Sequence, residues 1–129
     1  MSNLDDYVRI ISMHLNDGAC GDNQVLSPDA VAFMRKQRTG AEDTGTIGQG
    51  LLGYAMGWWT VRPEEGGSLY LFVDPGLFGS VSWIDIQRGI GGAVFFEDYT
   101  GTGAGALEVT PAVVEQLIPI IEGAIDAVR

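Results

Sequence analysis

The sequence predicts an α+β fold, and three observations carry that prediction. Apolar residues recur at helical spacing near both ends of the chain, at Leu4, Tyr7, Val8, Ile11 and Leu15, and again at Val114, Leu117, Ile118, Ile121, Ile125 and Val128. Between them lie runs of aromatic and β-branched residues separated by turn-forming stretches, which is strand chemistry. The connectors between those runs are short, as hairpins of an antiparallel sheet require.

The first helix is expected from about Leu4 to Asn16, with Gly18 following where a left-handed C-cap is cheapest. Asp17 to Asn23 is turn chemistry and predicts a surface loop. Ser27 as N-cap and Pro28 at the first helical position open a second helix, expected to end near Arg38, and Leu26 can staple onto Val31. Thr39 to Gly53 is rich in Gly and Thr without apolar period, a loop of about 15 residues. Four strands follow, at Tyr54–Val61, Leu69–Val73, Ser80–Ile86 and Gly92–Glu97, with Pro63–Gly67 and Asp85–Gly89 as hairpin connectors. Thr110 caps a last helix with Pro111 at its first position, and Pro119 inside that helix should kink it. The expected organisation is one domain over 1–129: helices and loop at 1–52, sheet at 53–98, terminal helix at 110–129.

A hydrophobic content of 46% suffices for a single buried core, which argues against disorder. Acidic residues outnumber basic ones 17 to 7, so the surface field repels phosphate backbones and anionic headgroups. Nucleic acid and membrane insertion are therefore not expected, and no window reaches the roughly 18 apolar residues of a spanning helix. Met1 to Asp6 has neither a basic nor an apolar leader region, and the single Cys20 builds no disulfide or metal cluster. The compartment stays open: cytoplasmic, periplasmic or extracellular.

Certain residues carry a resemblance. Asn16-Asp17-Gly18, a short loop and Val25-Leu26-Ser27-Pro28 come first, then Gly53-Tyr54-Ala55-Met56-Gly57-Trp58-Trp59. Asp74-Pro75-Gly76-Leu77-Phe78-Gly79-Ser80, Trp83-Ile84-Asp85, Arg88-Gly89 and Gly92 to Phe96 complete the series. In order and spacing these resemble the carboxy-terminal portion of the penicillin-recognising serine hydrolases: the β-lactamases, D-alanyl-D-alanine carboxypeptidases and related esterases of bacteria. The resemblance implies that Gly53 to Trp59 is similar to the family's Gly-Leu-Gly-Trp strand. It also implies that Asp74, Pro75, Gly76 and Leu77 stand at its third active-site motif, which walls the substrate. Leu77 would then offer its backbone N–H as one oxyanion donor.

The family's chemistry needs a nucleophilic serine three residues before a lysine, and a tyrosine two residues before an asparagine. Here the only lysine is Lys36, preceded at that spacing by Phe33, and none of Tyr7, Tyr54, Tyr70 and Tyr99 has the asparagine. No catalytic residue is assigned, no cofactor is expected, and the chain alone should be inactive. Where the family carries a cation in its third motif, this chain has Asp74. That residue would repel a substrate carboxylate and leave an uncharged ester unaffected, which favours esterase-like or amidase-like parents. The resemblance also implies that the family's sheet continues past the strand at Gly92–Glu97, leaving it an open edge. A homo-oligomer burying that edge, or an apolar face, is the expected partner state, and a non-catalytic self-associating module is the alternative reading.

Other signals are weaker. His14 lacks an evident partner and reads as structural or surface, and Cys20 has no nucleophilic constellation around it. Gly48-Gln49-Gly50-Leu51-Leu52-Gly53 matches a dinucleotide fingerprint, but a loop precedes it and a strand follows, the reverse of the context required. The carboxylate pairs Asp5-Asp6, Glu64-Glu65 and Glu97-Asp98 lack the spacing of a calcium loop. Trp58, Trp59 and Trp83 suit core or cross-strand packing better than ring stacking with a ligand.

Overall fold

A computed structural model describes residues 3–40, 53–63, 69–76, 80–95 and 112–129. The architecture is α+β, built on a five-stranded antiparallel sheet with a small two-stranded ribbon beside it in sequence. Helix α1 spans Leu4–Leu15, the ribbon is β1 (Ala19–Cys20) with β2 (Asn23–Gln24), and α2 spans Pro28–Met34. The main sheet is β3 (Gly53–Tyr54), β4 (Trp59–Pro63), β5 (Leu69–Pro75), β6 (Val81–Asp85) and β7 (Ile90–Val94), lying side by side in chain order. A wide helical turn over Val113–Leu117 runs into α3, Ile118–Asp126. Two compact units emerge, residues 1–74 with 82–93, and residues 75–81 with 94–129.

Local chemistry sets the helix ends. Asn3 caps α1 by accepting from the Asp6 N–H at 2.9 Å, and Ser27 caps α2 by accepting from the Ala30 N–H at 3.2 Å with Pro28 behind it. The C-terminus of α1 departs from expectation, because Asp17 and not only Gly18 takes positive φ, at 48°. The Gly18 N–H then donates to the Met13 carbonyl at 2.8 Å, the six-to-one closure of a Schellman turn with Asp17 in the left-handed position. Helix α2 ends a turn earlier than Arg38. The N–H groups of Arg38 and Thr39 both donate to the Tyr54 carbonyl, at 2.7 and 3.3 Å, so the chain is drawn out of the helix toward the sheet.

The expected strand Tyr54–Val61 is instead a hairpin. Gly53 pairs with Thr60 and Tyr54 with Trp59, while the Ala55 N–H donates to the Trp58 carbonyl at 2.7 Å around a turn in which Gly57 adopts φ 84°. Its unbroken apolar look hid the one residue that makes the reversal cheap. The expected surface loop between the first two helices holds the small ribbon, where Ala19 pairs with Gln24 and Cys20 with Asn23. In β4 and β5 the pairing runs Trp59 with Val73, Thr60 with Phe72, Arg62 with Leu71 and Pro63 with Leu69. Val61 is thus an extra residue on one strand and Tyr70 an extra residue on the other.

One face of the sheet receives α1. Ile11 packs with Ala55, Trp58, Phe72 and Ile84, flanked by Tyr7, Leu15, Ile86 and Ala93. Full burial of Phe72 and Ile84 alone is worth about 1.5–3 kcal/mol each. The helix sits close because Gly91 of β7 has no side chain: a Cβ there would meet Ile11 Cγ2 at 2.6 Å. Leu71, Val73 and Val81 are also fully buried, so the central strands are covered on both faces. The apolar stripe of α1 is rotated from the expected one. Leu4 and Val8 are exposed, and His14 is turned inward.

In the second unit, the predicted perturbation at Pro119 takes a specific form. The Ile118 N–H donates to the Val113 carbonyl, five residues back, so the helix widens by one residue just before the proline that has no N–H to give. Of the expected stripe, Ile118 is buried and Val114, Leu117, Ile121 and Ile125 are half-buried, while Val113 and Glu122 join it and Val128 is exposed, against expectation. The proposed caps Thr110 and Pro111 lie outside the described residues.

Candidate functional site

The alternation of β5 puts Phe72 and Asp74 on the face that receives α1. Phe72 enters the core, and Asp74, one pleat further along, reaches the helix. There the Tyr7 phenol donates to Asp74 Oδ2 at 2.9 Å, a contact between residues 67 positions apart. Burial first, and the neighbouring Asp74 charge second, push the Tyr7 hydroxyl above its ordinary pKa, with Ser82 opposing. The phenol therefore stays protonated and acts as a donor. Ser82, fully buried on β6, contributes a further hydroxyl on this face. Arg9 pairs with Asp6, Arg35 with Asp17 and Arg88 with Asp85, so none of these three guanidinium groups is paired with Asp74.

Of the other residues expected at the third motif, Pro75 ends β5, where a residue without an N–H is tolerated. The Gly76 N–H donates to the Ser80 carbonyl at 2.6 Å. A larger residue would crowd that bond, since a Cβ on Gly76 would lie 3.0 Å from the same oxygen. Leu77 lies outside the described residues. Sequence reasoning missed Tyr7 as a partner of Asp74, because nothing local to either residue reports on a contact made through the tertiary fold.

The turn after β6 has its own polar anchor. Asp85 is fully buried, accepts from the Gln87 and Arg88 N–H groups at 2.9 and 3.0 Å, and pairs with the Arg88 guanidinium at 3.2 Å. Every charge-assisted bond it makes stays inside the turn, so it serves the hairpin.

His14 is structural. It is 2% exposed, its Nε2 accepts from the Trp58 indole N–H at 3.3 Å, and the two rings meet edge to face at 5.3 Å. Arg35, the C-cap of α2, donates to its backbone carbonyl. Burial, then the Arg35 charge, hold the imidazole below its ordinary pKa, so it is neutral. Trp59 and Tyr54 pair across β3 and β4 at 4.8 Å, and Trp58 and Trp83 are buried, as core and cross-strand packing require. Cys20 is a half-buried free thiol on β1. Asp5 and Asp6 lie in the first turn of α1, where the helix dipole favours them. Glu64-Glu65, Glu97-Asp98 and Gly48 to Leu52 lie outside the described residues. Among those that are described, no group of three His, Cys, Asp or Glu could hold a metal ion, and no helix is long and apolar enough to cross a membrane.

Comparison with solved structures finds a similar fold in a chain described as a putative beta-lactamase from Bacteroides dorei DSM 17855. The two superpose with a TM-score of 0.68 at 22% sequence identity. The match covers 94% of this chain and 40% of that one, so the chain spans well under half the length of its structural counterpart. No protein-family model and no curated protein matches the sequence. At this identity the likeness is one of fold: the chain has the architecture of part of a β-lactamase-like protein.

Proposed function

We propose that this chain is the carboxy-terminal portion of a serine hydrolase resembling β-lactamases and D-alanyl-D-alanine carboxypeptidases, that it supplies the third-motif strand β5, and that it is inactive alone. The observation that supports this most is the likeness over 94% of the chain to 40% of a β-lactamase-like structure. Acyl transfer needs an activated hydroxyl and a group to take its proton. The sequence holds neither Ser-x-x-Lys nor Tyr-x-Asn. Ser82 of β6 is 2% exposed and beyond the reach of a bulky acyl donor. In the whole hydrolase, Asp74 to Leu77 would wall the acyl pocket, with esters or amides favoured over substrates carrying a carboxylate. Purified chain should leave nitrocefin and p-nitrophenyl acetate unhydrolysed above the buffer rate. Turnover at rates typical of an enzyme, about 1 per second or faster, would refute the proposal.

A second reading, a non-catalytic self-associating module, is favoured by β7. It comes last in the strand order of the sheet, and Phe95 just beyond it is exposed. A strand edge of that kind recruits other chains. Light scattering across a hundredfold range of concentration should then show a dimer or larger assembly, whereas a monomer throughout would dismiss this reading.

A further inference from the structure

We propose that Asp74, oriented by Tyr7, forms a subsite for a protonated amine on the ligand, which makes the third-motif strand selective for cationic over neutral or anionic substrates. The inference rests on the reading above that β5 faces substrate, and adds the chemical class that this version of the strand accepts. An ionised carboxylate has about four lone-pair sites on two oxygens. Asp74 is half-buried, and Tyr7 satisfies one of those sites, on Oδ2. The guanidinium groups of Arg9, Arg35 and Arg88 pair with other carboxylates. A half-buried carboxylate with a single protein donor leaves its other acceptor sites to water, and a primary ammonium can take the place of that water with three donors and the opposite charge. The Tyr7 phenol fixes the carboxylate plane from the core side, so a ligand meets a preset acceptor and not a freely rotating one. A formal net charge of -10 adds a field that draws cations toward the chain and keeps anions away.

The test is a binding measurement and needs no turnover. Phenylalanine p-nitroanilide and its N-acetyl derivative are titrated into the purified chain by calorimetry, at low and at high salt. The free amine is expected to bind about tenfold tighter or more, with a preference that shrinks as salt screens the pair. Asp74→Asn keeps the acceptor for Tyr7 and should abolish the preference. Tyr7→Phe should weaken it severalfold without removing it, and far-UV circular dichroism checks that both variants fold. Equal affinity for the two probes, no binding of either, or a preference that survives Asp74→Asn would each overturn the proposal. Hydrolysis of nitrocefin by the chain would instead overturn the inactive-portion reading and leave the amine preference standing.

Discussion

Gly92 on β7 offers a sharp test of how this sheet is packed. A Cβ at that position would lie 2.5 Å from both Cη2 and Cζ2 of Trp83 and 3.2 Å from Cε2. Carbon atoms prefer about 3.5–4.0 Å, so the indole would have to withdraw by roughly 1 Å. Trp83 is 6% exposed on a strand flanked by β5 and β7, which leaves it little room to retreat. Gly92→Ala should therefore cost about 1–3 kcal/mol, the range for inserting a methyl into a packed interior. Trp83→Leu should also destabilise, by roughly 2–4 kcal/mol, through the volume it vacates. In the double variant the new methyl occupies part of that volume, so the combined loss should fall short of the sum by about 1 kcal/mol or more. Urea unfolding followed by far-UV circular dichroism reads all four corners of the cycle. Costs that add within about 0.5 kcal/mol, or a neutral Gly92→Ala, would show that the glycine is not there to admit the indole.

Three further outcomes follow from the same contacts. Because His14 is neutral in the fold and held below its ordinary pKa, its contribution to stability is complete above about pH 6.5 and is lost as acidity rises toward the folded value. The urea midpoint should fall between about pH 7.5 and about pH 5.5 by more in the wild type than in His14→Gln, and parallel declines would exclude His14 as the cause. Ser27→Ala removes the side chain that accepts from the Ala30 N–H and should cost about 1 kcal/mol, with Ser27→Asp recovering most of it on the same denaturation assay. Gly57→Ala meets no atoms but must hold φ near 84°, so a loss of about 1 kcal/mol in thermal or urea unfolding is expected, and a Gly57→Asn variant that is milder would identify backbone conformation as the reason.

The elements legible in the sequence were those set by neighbours in the chain. Ser27 with Pro28 opened α2, and the Asp85 to Gly89 stretch closed the β6–β7 hairpin, because a cap or a tight turn is chosen within four or five residues. What the sequence concealed was decided at a distance. The inward turn of His14 depends on Trp58, 44 positions away, and the early end of α2 on a carbonyl belonging to Tyr54. Helical periodicity counted His14 as polar and Val8 as apolar, and the fold reversed both because an indole N–H awaited the imidazole. Near the carboxy terminus periodicity found most of the inward residues but missed Val113 and Glu122, since it assumed a constant 3.6 residues per turn and the helix holds a wide turn before Pro119. At the candidate site, the resemblance singled out Asp74, Pro75, Gly76 and Leu77. Tyr7 gave no sign of its role, since a tyrosine on an amphipathic helix looks the same whether its hydroxyl meets water or a carboxylate.

The extra residues Val61 and Tyr70 sit on opposite strands, and their effects cancel. Trp59 opposite Val73 and Pro63 opposite Leu69 belong to one register, with Arg62 opposite Leu71 displaced between them. A related chain that omits Val61 or Tyr70 alone would keep all four of these pairs, because an unpaired residue can be lost without moving its neighbours to the other face. Omitting a paired residue instead would carry the far end of this hairpin out of phase, exchanging inward and outward positions. Length changes are thus absorbed at the two irregular positions, and an alignment of relatives should place gaps in β4 at Val61 and in β5 at Tyr70.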